Sequence, residues 1–180
     1  MTLRIRTAFL ALLMALTMVT AISDRSDARN VYGPEYVDQN ERYYYSNPDR
    51  IYTSIVDEAM RKWDRLDDRY RNRGVQIRKA DAKHPATVVI HGVRDCDGGY
   101  SGFVPPRVKG QPGAIYLNTC SLDRYGRGWK LHVTGHEIGH TLGFEHAPNK
   151  YRKTSIMTIH STIPAPGGYD EKLYRNRWIR

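Results

Sequence analysis

Apolar side chains at Ile51, Ile55, Ala59, Trp63, Leu66 and Tyr70 recur three or four positions apart, with Asp, Glu, Arg and Lys between them. That spacing draws one stripe on a helix of about 3.6 residues per turn. It predicts a long helix over 48–71 whose only role is to pack one face on a core. Ahead of it, Arg42 to Ser46 with three consecutive tyrosines predicts a strand; β-branched and aromatic residues suit a pleated, half-buried surface. Behind it, runs at 75–78, 87–93, 100–104 and 114–118 predict further strands. Gly- and Pro-rich stretches at 95–99, 104–113 and 163–168 predict loops. A second helix is predicted to start near Trp129. A short closing helix follows, with Leu173, Tyr174 and Trp178 on its apolar side and Asp170 near its start.

The first residues do not fit that pattern. Arg4 and Arg6 precede an apolar run from Ala8 to Val19, and small residues follow at Ala21, Ser23, Ser26 and Ala28. A charged start, a short apolar centre and a small-residue cleavage region predict a secretory signal over 1–28, cleaved between 21 and 29. The run is shorter than the ~20 residues a spanning helix needs, so an uncleaved membrane anchor is the lesser reading. Residues 29–41 are polar and read as a short arm or a pro-segment. Residues 42–180 then form one domain, long enough to bury a sizeable core. Export changes how Cys96 and Cys120 read. They are the only cysteines, and outside the cytoplasm the pair is expected to close one disulfide worth about 3 kcal/mol in the chain-entropy model.

The chemistry is concentrated in HEIGHTLGFEH, residues 136 to 146. His136 and His140 stand four apart and share a helical face, so both imidazoles can reach one ion. Gly143 can take the left-handed conformation that ends a helix and turns the chain, which would carry His146 back to the same ion. Three neutral imidazoles leave a fourth position for water, the signature of a catalytic rather than a structural zinc site. Glu137 is placed to act as general base toward that water. Gly135 and Gly139 weaken the helix by roughly 1 kcal/mol each, which is explained if a neighbouring strand comes close to it. His132 sits one turn before His136 and could steady it from behind, although the exposed helix surface is the plainer place for it. His84, His91 and His160 have no partner at ligand spacing.

The pattern HExxHxxGxxH, followed at Ser155-Ile156-Met157-Thr158 by a methionine, resembles the metzincin clan of zinc endopeptidases. The small size is most similar to compact bacterial secreted enzymes such as snapalysin, or to a minimal matrixin catalytic domain. The resemblance implies an α+β zincin fold: a twisted mixed sheet of about five strands, a long N-terminal helix, an active-site helix and a short C-terminal helix. It implies that Met157 floors the site without being a ligand, and that substrate lies extended along a sheet edge, for which 100–104 is the candidate. It also points to Asp95 and Asp97 as candidate calcium residues, since matrixin loops hold calcium; an Asp–Gly turn is the plainer reading. There are departures. Snapalysin has an aspartate where this chain has His146. Astacins and serralysins carry a tyrosine two residues after the turn methionine, where this chain has Ile159. No matrixin-type cysteine switch is present.

A formal net charge of +9 draws the surface toward polyanions such as cell-wall polymers, anionic lipid, nucleic acid or acidic substrates. The arginines are scattered rather than gathered in a nucleic-acid motif, so no specific nucleic-acid partner is expected, and the chain is expected to be a monomer. The sequence therefore predicts a secreted zinc endopeptidase with His136, His140 and His146 as metal ligands, Glu137 as catalytic base, and peptide or protein as substrate. The rivals are a non-catalytic secreted module that attaches to polyanionic surfaces, and a hydrolase of cell-wall peptide.

Overall fold

The computed structural model describes residues 42–71 and 73–179. The signal and the arm or pro-segment expected before residue 42 lie outside the described residues. The elements are β1 (Arg42–Ser46), α1 (Thr53–Arg69), β2 (Gln76–Lys79), β3 (Val88–Val93), β4 (Gly102–Phe103), β5 (Gly113–Asn118), α2 (Thr119–Leu122), α3 (Arg127–Thr141), a 3-10 turn (Asn149–Tyr151) and α4 (Gly168–Trp178). The architecture is α+β, with one mixed five-stranded sheet in the order β2-β1-β3-β5-β4. β1 pairs parallel with β2 and β3, β3 pairs parallel with β5, and β4 alone runs antiparallel, on β5.

The long helix is the crossover that parallel pairing of β1 and β2 requires. It starts at Thr53 rather than residue 48. A turn closed by the Arg50 N–H on the Asn47 carbonyl, at 3.0 Å, precedes it. Arg50 and Tyr52 both sit at positive φ, 50° and 46°, which no helix interior accepts. Within the helix the apolar stripe is buried as its spacing requires: Ile55, Ala59, Trp63 and Leu66 are in the core, joined by Val56 and Met60, with Ile51 and Tyr70 at its margin.

On the sheet, alternation puts Tyr43 and Tyr45 of β1, Val88 and Ile90 of β3, and Ile115 and Leu117 of β5 in the core. The Tyr45 hydroxyl meets the Thr141 hydroxyl at 2.5 Å. Thr141 already donates to the Ile138 carbonyl, so Tyr45 is the donor, and it ties the sheet to the last turn of α3. The predicted strand at 100–104 shrinks to two residues. Pro105 and Pro106, with no N–H for a ladder, stop its far end; at its near end the Ser101 carbonyl still accepts from the Asn118 N–H at 2.9 Å. α2 is unexpected, and Asn118 builds it by accepting from the Cys120 and Ser121 N–H groups at 3.1 and 3.4 Å. Cys96 and Cys120 form a disulfide, with Cα atoms 5.1 Å apart. It ties α2 to the loop that leads into β4.

Candidate metal centre and cleft

α3 ends where Gly143 turns left-handed at φ 80°. The Gly143 N–H reaches the His140 carbonyl and the Phe144 N–H reaches the Gly139 carbonyl, both at 3.0 Å. This is a Schellman closure. It turns the chain back across its own helix and brings His146 to the two helical histidines. The three Nε2 atoms lie 3.1 to 3.2 Å from one another.

The tautomers follow from the partners. His136 Nδ1 is 2.8 Å from the Ile156 carbonyl, and His140 Nδ1 is 2.8 Å from the Phe144 carbonyl. A carbonyl oxygen only accepts, so each Nδ1 carries the proton and each Nε2 presents a bare lone pair. Burial, helped by the neighbouring imidazoles, holds His136 well below the ordinary imidazole value and His140 down to about 4, so both rings are neutral. Lone pairs aimed at one another this closely repel unless a cation sits among them. A triangle of this size would admit an ion at the zinc–imidazole distance of about 2.0–2.1 Å, so His136, His140 and His146 would be able to hold one. The donor set suits zinc: three imidazoles whose Nε2 atoms converge, the two helical ones neutral and anchored from behind.

Glu137 is buried beside the triangle. Burial with no counter-charge pushes its carboxyl up to about 8; a cation alongside would favour the ionised form. Glu137 and the three histidines line a cleft of about 320 Å³, closed on its other side by Tyr100 to Val104 and by Trp129 and Ile159. Residue 102 must be small, because a Cβ on Gly102 would lie 2.9 Å from the Val133 side chain and 3.0 Å from Glu137. β4 therefore rests directly on the carboxylate.

The segment around Met157 packs behind the ligand helix. A Cβ on Gly139 would overlap the Met157 sulfur and lie 2.9 Å from the Trp63 ring. Trp63 itself donates its indole N–H to the Gly135 carbonyl at 2.7 Å. The expectation of a strand against Gly135 and Gly139 is thus corrected. The close approach comes from α1 and the methionine turn, which need the missing side chains more than a strand would.

Two residues were undervalued by sequence reasoning. Asp170, at the start of α4, is fully buried. Its carboxylate accepts from the Ser155 hydroxyl at 2.5 Å, the Ile156 N–H at 2.7 Å and the Gly167 N–H at 2.8 Å. The Ser155 oxygen in turn accepts from the Met157 N–H at 3.1 Å. A chain of hydrogen bonds thus runs from His136 through the Ile156–Met157 peptide and Ser155 to Asp170. Its sequence signal was only an acidic residue near a helix start. His132 is the second. It is buried, not on the exposed helix surface, because its ring stacks on Trp129 and its Nδ1 donates to the Ile163 carbonyl at 3.0 Å. It lines the cleft.

The remaining candidates separate from the centre. His84 pairs with Asp81, His91 lies 3.6 Å from Asp49, and His160 is exposed outside the cleft. Asp95 spends its carboxylate on the Gly98 N–H at 2.9 Å and on the Tyr100 hydroxyl, the contacts of a turn. Among the described residues, His136, His140 and His146 are the group of three whose ligand atoms converge. No helix among the described residues is long and apolar enough to cross a membrane.

No family model matches the sequence, and no curated protein matches it. Among solved structures the chain is similar to high choriolytic enzyme 1, a hatching enzyme zinc-protease from the medaka fish Oryzias latipes, at 12% identity and a TM-score of 0.42, covering 74% of this chain and 87% of that one. It is also similar to myroilysin, at 12% identity and a TM-score of 0.47, covering 88% of this chain and 95% of that one. Overlap this loose adds nothing to what the side chains themselves carry.

Proposed function

We propose that this chain is a secreted zinc-dependent endopeptidase of the metzincin type. The observation that supports it most is the convergence of three Nε2 atoms, two of them with bare lone pairs, beside a buried carboxylate in a cleft bounded by a sheet edge. His136, His140 and His146 would hold the ion. Bound there, zinc supplies Lewis acidity toward a water molecule and toward the scissile carbonyl.

The protein's own groups do the rest. Glu137 takes the proton of the attacking water and later delivers it to the leaving amine, so the carbon–nitrogen bond breaks with no covalent enzyme intermediate. Among the described residues β4 pairs on one side only, with β5, and its other edge would take an extended peptide as a further strand lying over Glu137. Ile159, half exposed on the cleft wall, stands where a tyrosine would otherwise donate to the developing oxyanion, so that help is not available at this position. The disulfide is in keeping with export to an oxidising compartment.

A non-catalytic module has no use for Glu137, since burying an unpaired carboxyl is costly. The test is cleavage of casein and of quenched peptides by the zinc-loaded protein, by the chelated protein and by Glu137→Ala. Zinc-dependent cleavage lost in Glu137→Ala supports the proposal. Stoichiometric zinc without cleavage of any peptide overturns it in favour of the binding module, and cleavage confined to purified peptidoglycan moves the substrate to cell-wall peptide.

A further inference from the structure

A second cavity of about 620 Å³ lies next to the cleft and shares none of its lining residues. Its walls are Lys150, Arg152, Lys153 and His160, with Asn149 and Thr154 between them. Three permanent cations and an imidazole face it, and no carboxylate does. The sequence explains why: between Glu145 and Asp170 the chain carries no acidic residue at all, and Asp170 is fully buried. Among the described residues, none of the three cations lies within ion-pair distance of a carboxylate, whereas Lys62, Arg78, Lys79, Arg127 and Lys130 all do.

The cavity is held in shape. The 3-10 turn that presents Lys150 is closed by the Tyr151 N–H on the Pro148 carbonyl at 2.9 Å. The Tyr151 ring stacks on Tyr169 at 3.7 Å. The Thr154 N–H reaches Tyr151 at 2.8 Å, and the Thr154 carbonyl accepts from Tyr169 at 3.0 Å. A pinned backbone lowers the entropy lost when the cations engage a ligand.

Its position relates it to the cleft. Ile159 lines the cleft and His160, the next residue, lines the cavity. An extended peptide advances about 3.3 Å per residue, so a substrate that leaves the cleft past Ile159 would bring a side chain a few residues from the scissile bond to the cavity. We propose that this cavity is a docking site for carboxylate side chains of the polypeptide being cleaved, which directs the enzyme to acidic stretches. The inference rests on the peptidase reading for its substrate, and on the cation cluster alone for its charge preference.

The experiment uses matched quenched peptides in which an Asp-Glu pair is moved through positions two to five residues on either side of the scissile bond, against Asn-Gln controls. Exposed charge pairs each contribute a factor of a few, so three cations predict about tenfold higher kcat/KM for the best-placed acidic peptide at low salt. That preference should vanish in Lys150→Ala/Arg152→Ala/Lys153→Ala and fade at high salt, while the Asn-Gln peptide is cleaved equally by both proteins, which also shows the variant is folded. A preference that survives the triple substitution, or a wild type without one, overturns the proposal. If no peptide is cleaved, the peptidase reading has failed, and anisotropy of a fluorescein-labelled Asp-Glu peptide decides the charge site separately. Binding about tenfold weaker in the triple variant supports it, and equal binding refutes it.

Discussion

Replacing Asp170 tests whether the centre is held from behind by α4. The carboxylate is fully buried and satisfies the Ser155 hydroxyl and the N–H groups of Ile156 and Gly167. Asp170→Ala orphans all three donors. Each orphaned buried donor costs about 1–3 kcal/mol, so the sum is about 3–9 kcal/mol, against the ~5–15 kcal/mol by which a domain is stable. Asp170→Asn behaves differently. Its oxygen can face the two N–H groups and its amide can donate to the Ser155 oxygen, so the geometry survives while the charged acceptor is lost, at about 1–3 kcal/mol. Ser155→Ala takes one acceptor from the Met157 N–H and leaves it the Asp170 carboxylate alone, at about 0.5–1.5 kcal/mol. Ser155→Ala breaks the chain that leads to His136 and Asp170→Asn strips it of its charge, and loss of such outer partners weakens metal affinity by about 10–100-fold. Urea denaturation followed by circular dichroism, and zinc competition with a chromophoric chelator, read the two quantities separately. If Asp170→Ala unfolds within about 1 kcal/mol of wild type, or if Asp170→Asn and Ser155→Ala bind zinc as tightly as wild type, the bracing described here is wrong.

Three further outcomes are expected. Gly139→Ala gains about 1 kcal/mol of helix propensity, but its methyl group overlaps Met157 and presses on Trp63; overpacking of about 1–3 kcal/mol or more should win, seen as a lower urea midpoint together with weaker zinc binding. Zinc at a hundredfold excess over its Kd should stabilise the domain by about 2.7 kcal/mol, a rise in melting temperature that chelator reverses and that His146→Ala abolishes. Replacing both Cys96 and Cys120 by Ser should lower stability by about 3 kcal/mol and, by freeing the loop before β4, raise KM for peptides more than it lowers kcat.

What the sequence made legible was periodic or spaced. The stripe from Ile55 to Leu66 gave the long helix, and the i, i+4 histidines with Gly143 gave the triangle, because both depend on helical geometry that spacing alone encodes. The α+β order of elements was readable for the same reason. What stayed hidden depends on contacts between distant segments. Nothing near Asp170 shows that it will brace a turn 14 residues earlier. Nothing near His132 shows that Trp129 and the Ile163 carbonyl will cover it. The shortening of β4 was a mixed case: the two prolines that close the predicted strand at its far end were visible, whereas the loss of residues 100 and 101 at its start depends on how that loop meets β5.

The seam between α1 and α3 also constrains which sequences can share this centre. Trp63, Gly139 and Met157 compete for one volume, with no slack at Gly139 for even a methyl group. A lineage could admit alanine at position 139 only after position 157 or position 63 had shrunk. Those three sites, far apart along the chain, are therefore expected to vary together or not at all, and a double substitution such as Gly139→Ala with Met157→Ala should recover part of what Gly139→Ala alone loses.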